Sequence, residues 1–182
     1  AGIIAAEAND IGVIGVAPNA KIMMLKAFNP RGSGTVDNIV SAIYYAANNG
    51  AQVINASFGS DNYSELEQEA IAYAHEKNVL FIAAAGNSNA DVGIHQFYPA
   101  FYTLPNIISV GASNANDQLA DFSNYGVPVD IFAPGNQIYS TVLNGGYAFY
   151  DGTSMAAPHV AGAVAFVWGK NPDLSHLRVK NR

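Results

Sequence analysis

No cysteine occurs among the 182 residues. Disulfides, thiolate metal sites and cysteine nucleophiles are therefore excluded, and redox usage says nothing about the compartment. Basic residues are scarce, eight Lys and Arg against fourteen Asp and Glu, for a net charge of -6. A nucleic-acid footprint needs a clustered basic face, so nucleic acid is not an expected partner. Every apolar run is broken by Gly, Pro or charge before it reaches the length of a bilayer span. Repeats, low-complexity tracts and linkers are also missing. What is abundant is apolar, 50% of the residues against 12% charged, which predicts a single globular domain over residues 1–182 with a sizeable core.

The chain opens on Ala1-Gly2-Ile3-Ile4-Ala5-Ala6 without a cap signal, as a helix entered in its middle, and stops as abruptly at Val179–Arg182. The expectation is a domain truncated at both ends. After a turn-rich loop from Asn9 to Gly15, Lys21–Phe28 has the length and apolarity of a strand. Val36, Ile39, Val40, Ile43, Tyr44 and Ala47 then fall at helical spacing, with Gly50 where a left-handed C-terminal cap belongs. The alternation continues with a strand at Gln52–Ala56, a helix opened by the capping box Ser64–Glu67, and a strand at Val79–Ala84. Further strands are expected at Ile107–Ala112 and Val129–Ala133, and a hairpin where Ile138–Leu143 and Gly146–Tyr150 flank Asn144-Gly145. Strands alternating with helices predict an α/β fold of three layers, a mostly parallel central sheet with helices on both faces. In such sheets ligands bind beyond the C-terminal ends of the strands.

Three stretches in those positions are small and flexible: Gly32-Ser33-Gly34, Ser57-Phe58-Gly59-Ser60 and Ala84-Ala85-Gly86-Asn87. Backbone edges of this kind can pair with an extended peptide. Near the end, Gly152-Thr153-Ser154 leads into the almost wholly apolar run Val160–Trp168. At that helix mouth either Thr153 or Ser154 is simply the N-cap, or Ser154 is a nucleophile held where the helix dipole favours negative charge.

Gly152-Thr153-Ser154-Met155-Ala156-Ala157-Pro158-His159-Val160-Ala161-Gly162 resembles the nucleophile motif of the subtilisin-like serine proteases, the subtilases. Val53–Gly59 resembles that family's substrate-binding strand and Ala83–Asn87 its oxyanion-asparagine motif. Residues 1–6 with Gly12–Pro18 resemble the segment directly after its histidine motif. The resemblance implies a serine endopeptidase with Ser154 as nucleophile and Asn87, with the Ser154 N–H, as oxyanion donor. It implies a polypeptide substrate lying on Gly32, Ser33, Gly34, Ser57, Phe58, Gly59, Ala84, Ala85 and Gly86. Phe97 falls where many relatives have glycine at the base of the first pocket, so an inward ring makes that pocket shallow and favours small or medium apolar residues. The loop Glu7–Val13 resembles the family's calcium loop, which implies a partial site here, with Asn9 giving its side chain and Glu7, Ile11 and Val13 their carbonyls and the remaining ligands lying in the preceding part. The cation would be structural, since the chemistry needs no cofactor. A secreted or extracytoplasmic location is implied, and a propeptide or the missing N-terminal segment is an implied partner.

One departure matters most. The triad also needs a histidine base and an aspartate to orient it, and in the family both precede the segment at hand. His75, His95, His159 and His176 all read as structural or solvated, and Asp10 and Asp151 lack the aspartate motif. The chain by itself is expected to show little or no turnover. The alternatives are a protease-like protein that binds peptides without cutting them, and an α/β-hydrolase esterase, against which Ala156 stands in place of the second glycine of the nucleophile elbow.

Overall fold

A computed structural model describes residues 1–182. Four parallel strands form the central sheet in their sequence order: β1 (Val53–Ala56), β2 (Leu80–Ala84), β3 (Ile107–Ser113) and β4 (Ile131–Pro134). Val53 lies beside Leu80, Ile82 beside Ile108, and Val110 beside Ile131. Every residue of β2 and β3 is buried, as expected of strands covered on both faces.

The period-two alternation of β2 divides its side chains between two cores. Leu80, Ile82 and Ala84, with Ile108, Val110 and Ala112, pack against α4 (Thr153–Lys170) through Ala156, Ala157, Val160, Ala161 and Val164. Phe81 and Ala83 face the other way, toward α2 (Val36–Asn48) and α3 (Glu65–Glu76), meeting Ile43, Ala47, Ala70, Ile71 and Ala74. The architecture is thus the expected three layers. Small residues on α4 let it lie close to the sheet. Gly162 also lets Val16 approach, because a Cβ there would come within 2.7 Å of Val16 Cβ, with the Ile4 carbonyl of α1 (Gly2–Ala5) 3.5 Å away.

Local signals set the helix ends. Thr35 caps α2 by accepting from the Asn38 N–H, and Gly50 follows at φ 82°. Ser64 caps α3 through the Glu67 N–H at 3.3 Å, but the return arm of the capping box is not made. The Ser64 N–H donates to the Tyr102 hydroxyl, and that hydroxyl donates to Glu67. Tertiary contact with Tyr102 displaces the local partner, and burial pushes the Glu67 carboxyl above its usual range.

Two further expectations are corrected. Lys21–Phe28 is not a strand: only Phe28 makes a bridge, to Gly34, and Ile22, Met23 and Met24 stand in solvent. No neighbouring strand pairs with the run, so its apolarity finds no ladder to join. The second concerns the hairpin. β5 (Ile138–Thr141) and β6 (Tyr147–Tyr150) pair antiparallel as expected, but they are joined by a longer connection with a 3₁₀ turn at Leu143–Gly145, not by a two-residue turn.

The C-terminal α5 (His176–Lys180) is pinned by its first residue. The Asn78 side-chain oxygen accepts from both the His176 N–H and His176 Nδ1. That leaves His176 Nε2 as the acceptor for His75 Nδ1, 2.6 Å away. Burial and the neighbouring His75 lower the His176 pKa.

Candidate active site

Ser154 lies in the first turn of α4, and Ser57 and Asn87 follow the C-terminal ends of β1 and β2. Neither Thr153 nor Ser154 is a cap. The N-cap is Gly152, without a side-chain cap, and the first helical N–H is satisfied from another element, by Asn87. Asn87 Oδ1 accepts from the Thr153 N–H at 2.8 Å and from Thr153 Oγ1 at 2.9 Å.

The Thr153 N–H can only donate, which fixes the carboxamide orientation, and the Thr153 hydroxyl, already accepting from the Gly86 N–H, donates to the same oxygen. The Asn87 oxygen faces Thr153 and its Nδ2 faces away. The Ser154 N–H is one of the donors at a helix start that intrahelical bonding leaves free. A Cβ imagined on Gly152 would lie 3.5 Å from Asn87 Nδ2 and 3.6 Å from the Ser154 N. Two unpaired donors thus border the same small space, which only a glycine leaves open.

Ser154 is gripped from the other side by Ser57. Ser154 Oγ donates to the Ser57 carbonyl at 3.2 Å, and Ser57 Oγ donates to the Ser154 carbonyl at 2.9 Å. The second bond is possible because Pro158 has no N–H and cannot occupy the Ser154 carbonyl four residues back. Asn55 Nδ2 orients Ser57 Oγ at 2.9 Å.

Phe97 comes to the same place. A Cβ on Gly86 would lie 3.1 and 3.2 Å from Phe97 ring atoms, and one on Gly59 2.7 Å from Phe97 Cζ. The ring therefore rests against both glycines, between the Ser57–Gly59 and Ala84–Gly86 segments. Ala84, Ala85 and Gly86 are buried, whereas Gly59 and Asn87 are open to solvent. The exposed turn Gly32-Ser33-Gly34 is tied to this region through Phe28, which bridges Gly34 and packs on Phe58 with ring centroids 5.1 Å apart.

The remaining sequence candidates lie apart. None of the four histidines bonds to Ser154: His159 Nδ1 contacts the Met155 carbonyl of its own helix at 2.9 Å, and His75 pairs with His176. Asp151 accepts from Asn136 and Gln137. In the loop of Glu7, Asn9, Ile11 and Val13, Asn9 Oδ1 accepts from the Ile11 N–H at 3.2 Å. Its oxygens there are neutral, and four fall short of the six to eight that calcium gathers. The loop therefore does not fit a complete site.

Two residues escape a reading by sequence. Thr153 sits inside a motif that draws attention to its neighbour, yet its hydroxyl both fixes Asn87 and accepts from the Gly86 N–H at 3.1 Å. Asn124 has no motif around it at all, and its bonds to the Asn87 loop exist only in the folded chain.

The subtilase family model matches residues 1–182. The alkaline elastase YaB of a Bacillus strain is 45% identical over all of this chain and 47% of its own length. Subtilisin Savinase of Lederbergia lenta is also 45% identical, over all of this chain and 65% of its own length. Among solved structures, a cold adapted subtilisin-like serine proteinase superposes with a TM-score of 0.89 at 37% identity, over 99% of this chain and 63% of its own. Sphericase does so with a TM-score of 0.88 at 35% identity, over 99% of this chain and 65% of its own. The chain spans about half the length of several of these relatives and about two thirds of others. On sequence along its whole length and on fold, the chain belongs to the subtilase family.

Proposed function

We propose that residues 1–182 carry the nucleophile, the oxyanion hole and the peptide-binding edges of a serine endopeptidase. The single observation behind this reading is the orientation of Asn87, whose oxygen is held by Thr153 while its Nδ2 borders the same space as the Ser154 N–H. A base takes the Ser154 Oγ proton as Oγ attacks the peptide carbonyl carbon. Charge then develops on the carbonyl oxygen, where Asn87 Nδ2 and the Ser154 N–H stabilise it. Collapse expels the amine with the proton from the base, leaves an ester on Ser154, and water hydrolyses that ester. Loss of one such donor costs about 100- to 1000-fold in kcat, a magnitude known from subtilisin itself.

The base and its orienting carboxylate are not among these residues, since Ser154 Oγ bonds only to the Ser57 carbonyl. In this reading both come from polypeptide outside residues 1–182, either a preceding segment or a separate chain. An unpaired strand edge is a template for further chain, and the free edge of β1, next to Ser57, is where we expect it to add. Calcium takes no part in the chemistry, and loop 7–13 supplies only part of a coordination shell. No helix of the structure is long and apolar enough to cross a membrane. We assign an extracytoplasmic location on family grounds.

The Phe97 ring against Gly59 and Gly86 makes the first pocket shallow, and we read its preference as small or medium apolar side chains. A second reading is peptide binding without cleavage, favoured by the bond of Ser154 Oγ to a carbonyl in place of a base. Peptide-library hydrolysis by the complete polypeptide, by residues 1–182 alone and by Ser154→Ala separates the two. Cleavage after small apolar residues is expected from the complete polypeptide only, and none from Ser154→Ala. Turnover by the 182 residues alone would sink the claim about the base, bulky aromatics winning would refute the shallow pocket, and no cleavage by any form would favour pure binding.

A further inference from the structure

We propose that Asn124 is a positioning residue for the oxyanion hole, setting the place of Asn87 by holding the backbone on both sides of it. The inference rests on the reading of Asn87 as oxyanion donor and extends it to a residue that touches neither substrate nor nucleophile.

Asn124 is 2% exposed, and its side chain and N–H bond only to residues 85–90. Its Nδ2 donates to the Ala85 carbonyl at 2.8 Å. Its N–H donates to the Gly86 carbonyl at 3.0 Å. Its Oδ1 accepts from the Ser88 N–H at 2.9 Å and the Ala90 N–H at 3.1 Å. Two bonds precede Asn87 and two follow it, while Asn87 itself is left to Thr153. The loop cannot shift along its own direction without breaking bonds at one end or the other.

Gly86 is shaped for this contact. Its φ of 102° is one that side chains rarely adopt, and a Cβ there would collide with Asn124 Nδ2. Asn124 is itself anchored to the sheet. Ser123 Oγ, wholly buried, accepts from the Ala112 N–H of β3 at 2.9 Å and donates to the Asn124 carbonyl at 2.8 Å. A continuous path thus runs from β3 through Ser123 and Asn124 to the Asn87 loop, and through Thr153 to the helix of Ser154. An oxyanion donor must be fixed before charge develops, and a displacement of about 1 Å can cost on the order of 100-fold in rate. Without Asn124 the loop would keep the Ala85 N–H bond to the Val110 carbonyl, the Asn89 N–H bond to the Phe122 carbonyl and the contacts of Thr153, but the Ala85 and Gly86 carbonyls and the Ser88 and Ala90 N–H groups that flank Asn87 would lose their partner.

The test is a cycle in the complete polypeptide: Asn124→Ala, Asn87→Ala and the double variant, with kcat and KM on a peptide substrate and the affinity for a peptide boronate that mimics the tetrahedral adduct. Asn124→Ala is expected to lower kcat by about 10- to 100-fold, with KM within about twofold and boronate affinity falling in step with kcat. In the Asn87→Ala background it should cost less than about twofold, because its effect runs through Asn87. Asn124→Asp keeps the two acceptor bonds to Ser88 and Ala90 but sets an acceptor oxygen against the Ala85 carbonyl, so it should lose at least as much kcat as Asn124→Ala. It also serves if the alanine variant does not fold. An equal loss in both backgrounds, a loss confined to KM, or failure of both variants to fold would overturn the proposal in favour of a purely structural role. Should Asn87→Ala leave kcat unchanged, the oxyanion reading itself falls; should it lower kcat while the Asn124 variants do not, only the proposal about Asn124 falls.

Discussion

From Leu80 to Gly86 every residue is buried, and from Lys21 to Lys26 every residue is exposed. Both stretches are apolar runs of strand length, Leu-Phe-Ile-Ala-Ala against Ile-Met-Met-Leu. The first lies between two strands and under helices on both faces, with its N–H and C=O groups spent on ladders. The second has no strand beside it. The difference teaches that apolar content supplies the capacity for burial, while a hydrogen-bonding neighbour decides whether it is used. The candidate site belongs to the first region. Its donors and acceptors close on one another across Asn55, Ser57, Thr153, Ser154 and Asn87, without help from residues 7–26.

The largest effect that can test this contrast is Phe81→Ala. Phe81 is fully buried between β1, β3 and the α2–α3 layer, so truncation should cost about 3–5 kcal/mol in urea unfolding. A loss below about 1 kcal/mol, on the order of an exposed-site change, would mean a loosely packed core.

Acid should act on the buried region next. The His176 pKa is lowered from its ordinary value of 6.5 in the folded chain, so the unfolded chain binds the extra proton first. Stability supplied by the His75–His176–Asn78 contact is therefore complete above about pH 6.5 and is lost as pH falls through the folded value. Glu67 acts in the opposite sense, because its raised pKa favours folding below its ordinary range and that gain fades as pH rises. A His176→Gln variant should lose the destabilisation that sets in as pH falls below 6.5; an unchanged slope would dissociate the pair from stability.

Smaller still is Met24→Ala, at 76% exposure, expected within about 0.5 kcal/mol of the parent. A cost like that of Phe81→Ala would erase the contrast between the two regions. Calcium should have the least effect of all. With four neutral oxygens in loop 7–13, the melting temperature of the 182 residues is expected to be the same in excess calcium and in chelator, and a rise of several degrees with calcium would reveal a completed site.

The buried region is also the legible one. β2 and β3 can be read from Leu80–Ala84 and Ile107–Ala112 because strands covered on both faces must be apolar throughout. α3 is announced by Ser64, and the end of α2 by Gly50 after a periodic helix. Legibility fails wherever a long-range partner decides. Lys21–Phe28 carries a strand's composition but no information about a neighbour. Glu67 looks like the return arm of a capping box, yet Tyr102, 35 residues away, takes it. Ser154 and Asn87 are marked by motif, whereas Asn124, in an ordinary loop, acquires its bonds only when segments distant in sequence meet. The pairing of His75 with His176, 101 residues apart, is invisible for the same reason.

The position of α4 in the chain has a consequence for synthesis. One entire face of the sheet, including Leu80, Ile82 and Val110, is covered by a helix made after all four strands. Translation at roughly 5–20 residues per second leaves that face bare for on the order of several seconds after β3 has emerged. The closing bonds between Ser57 and Ser154 span 97 residues, so refolding of the finished chain faces the same delay, with slow non-local closure. The helix that presents Ser154 is therefore also the element on which the nascent sheet depends for protection from aggregation.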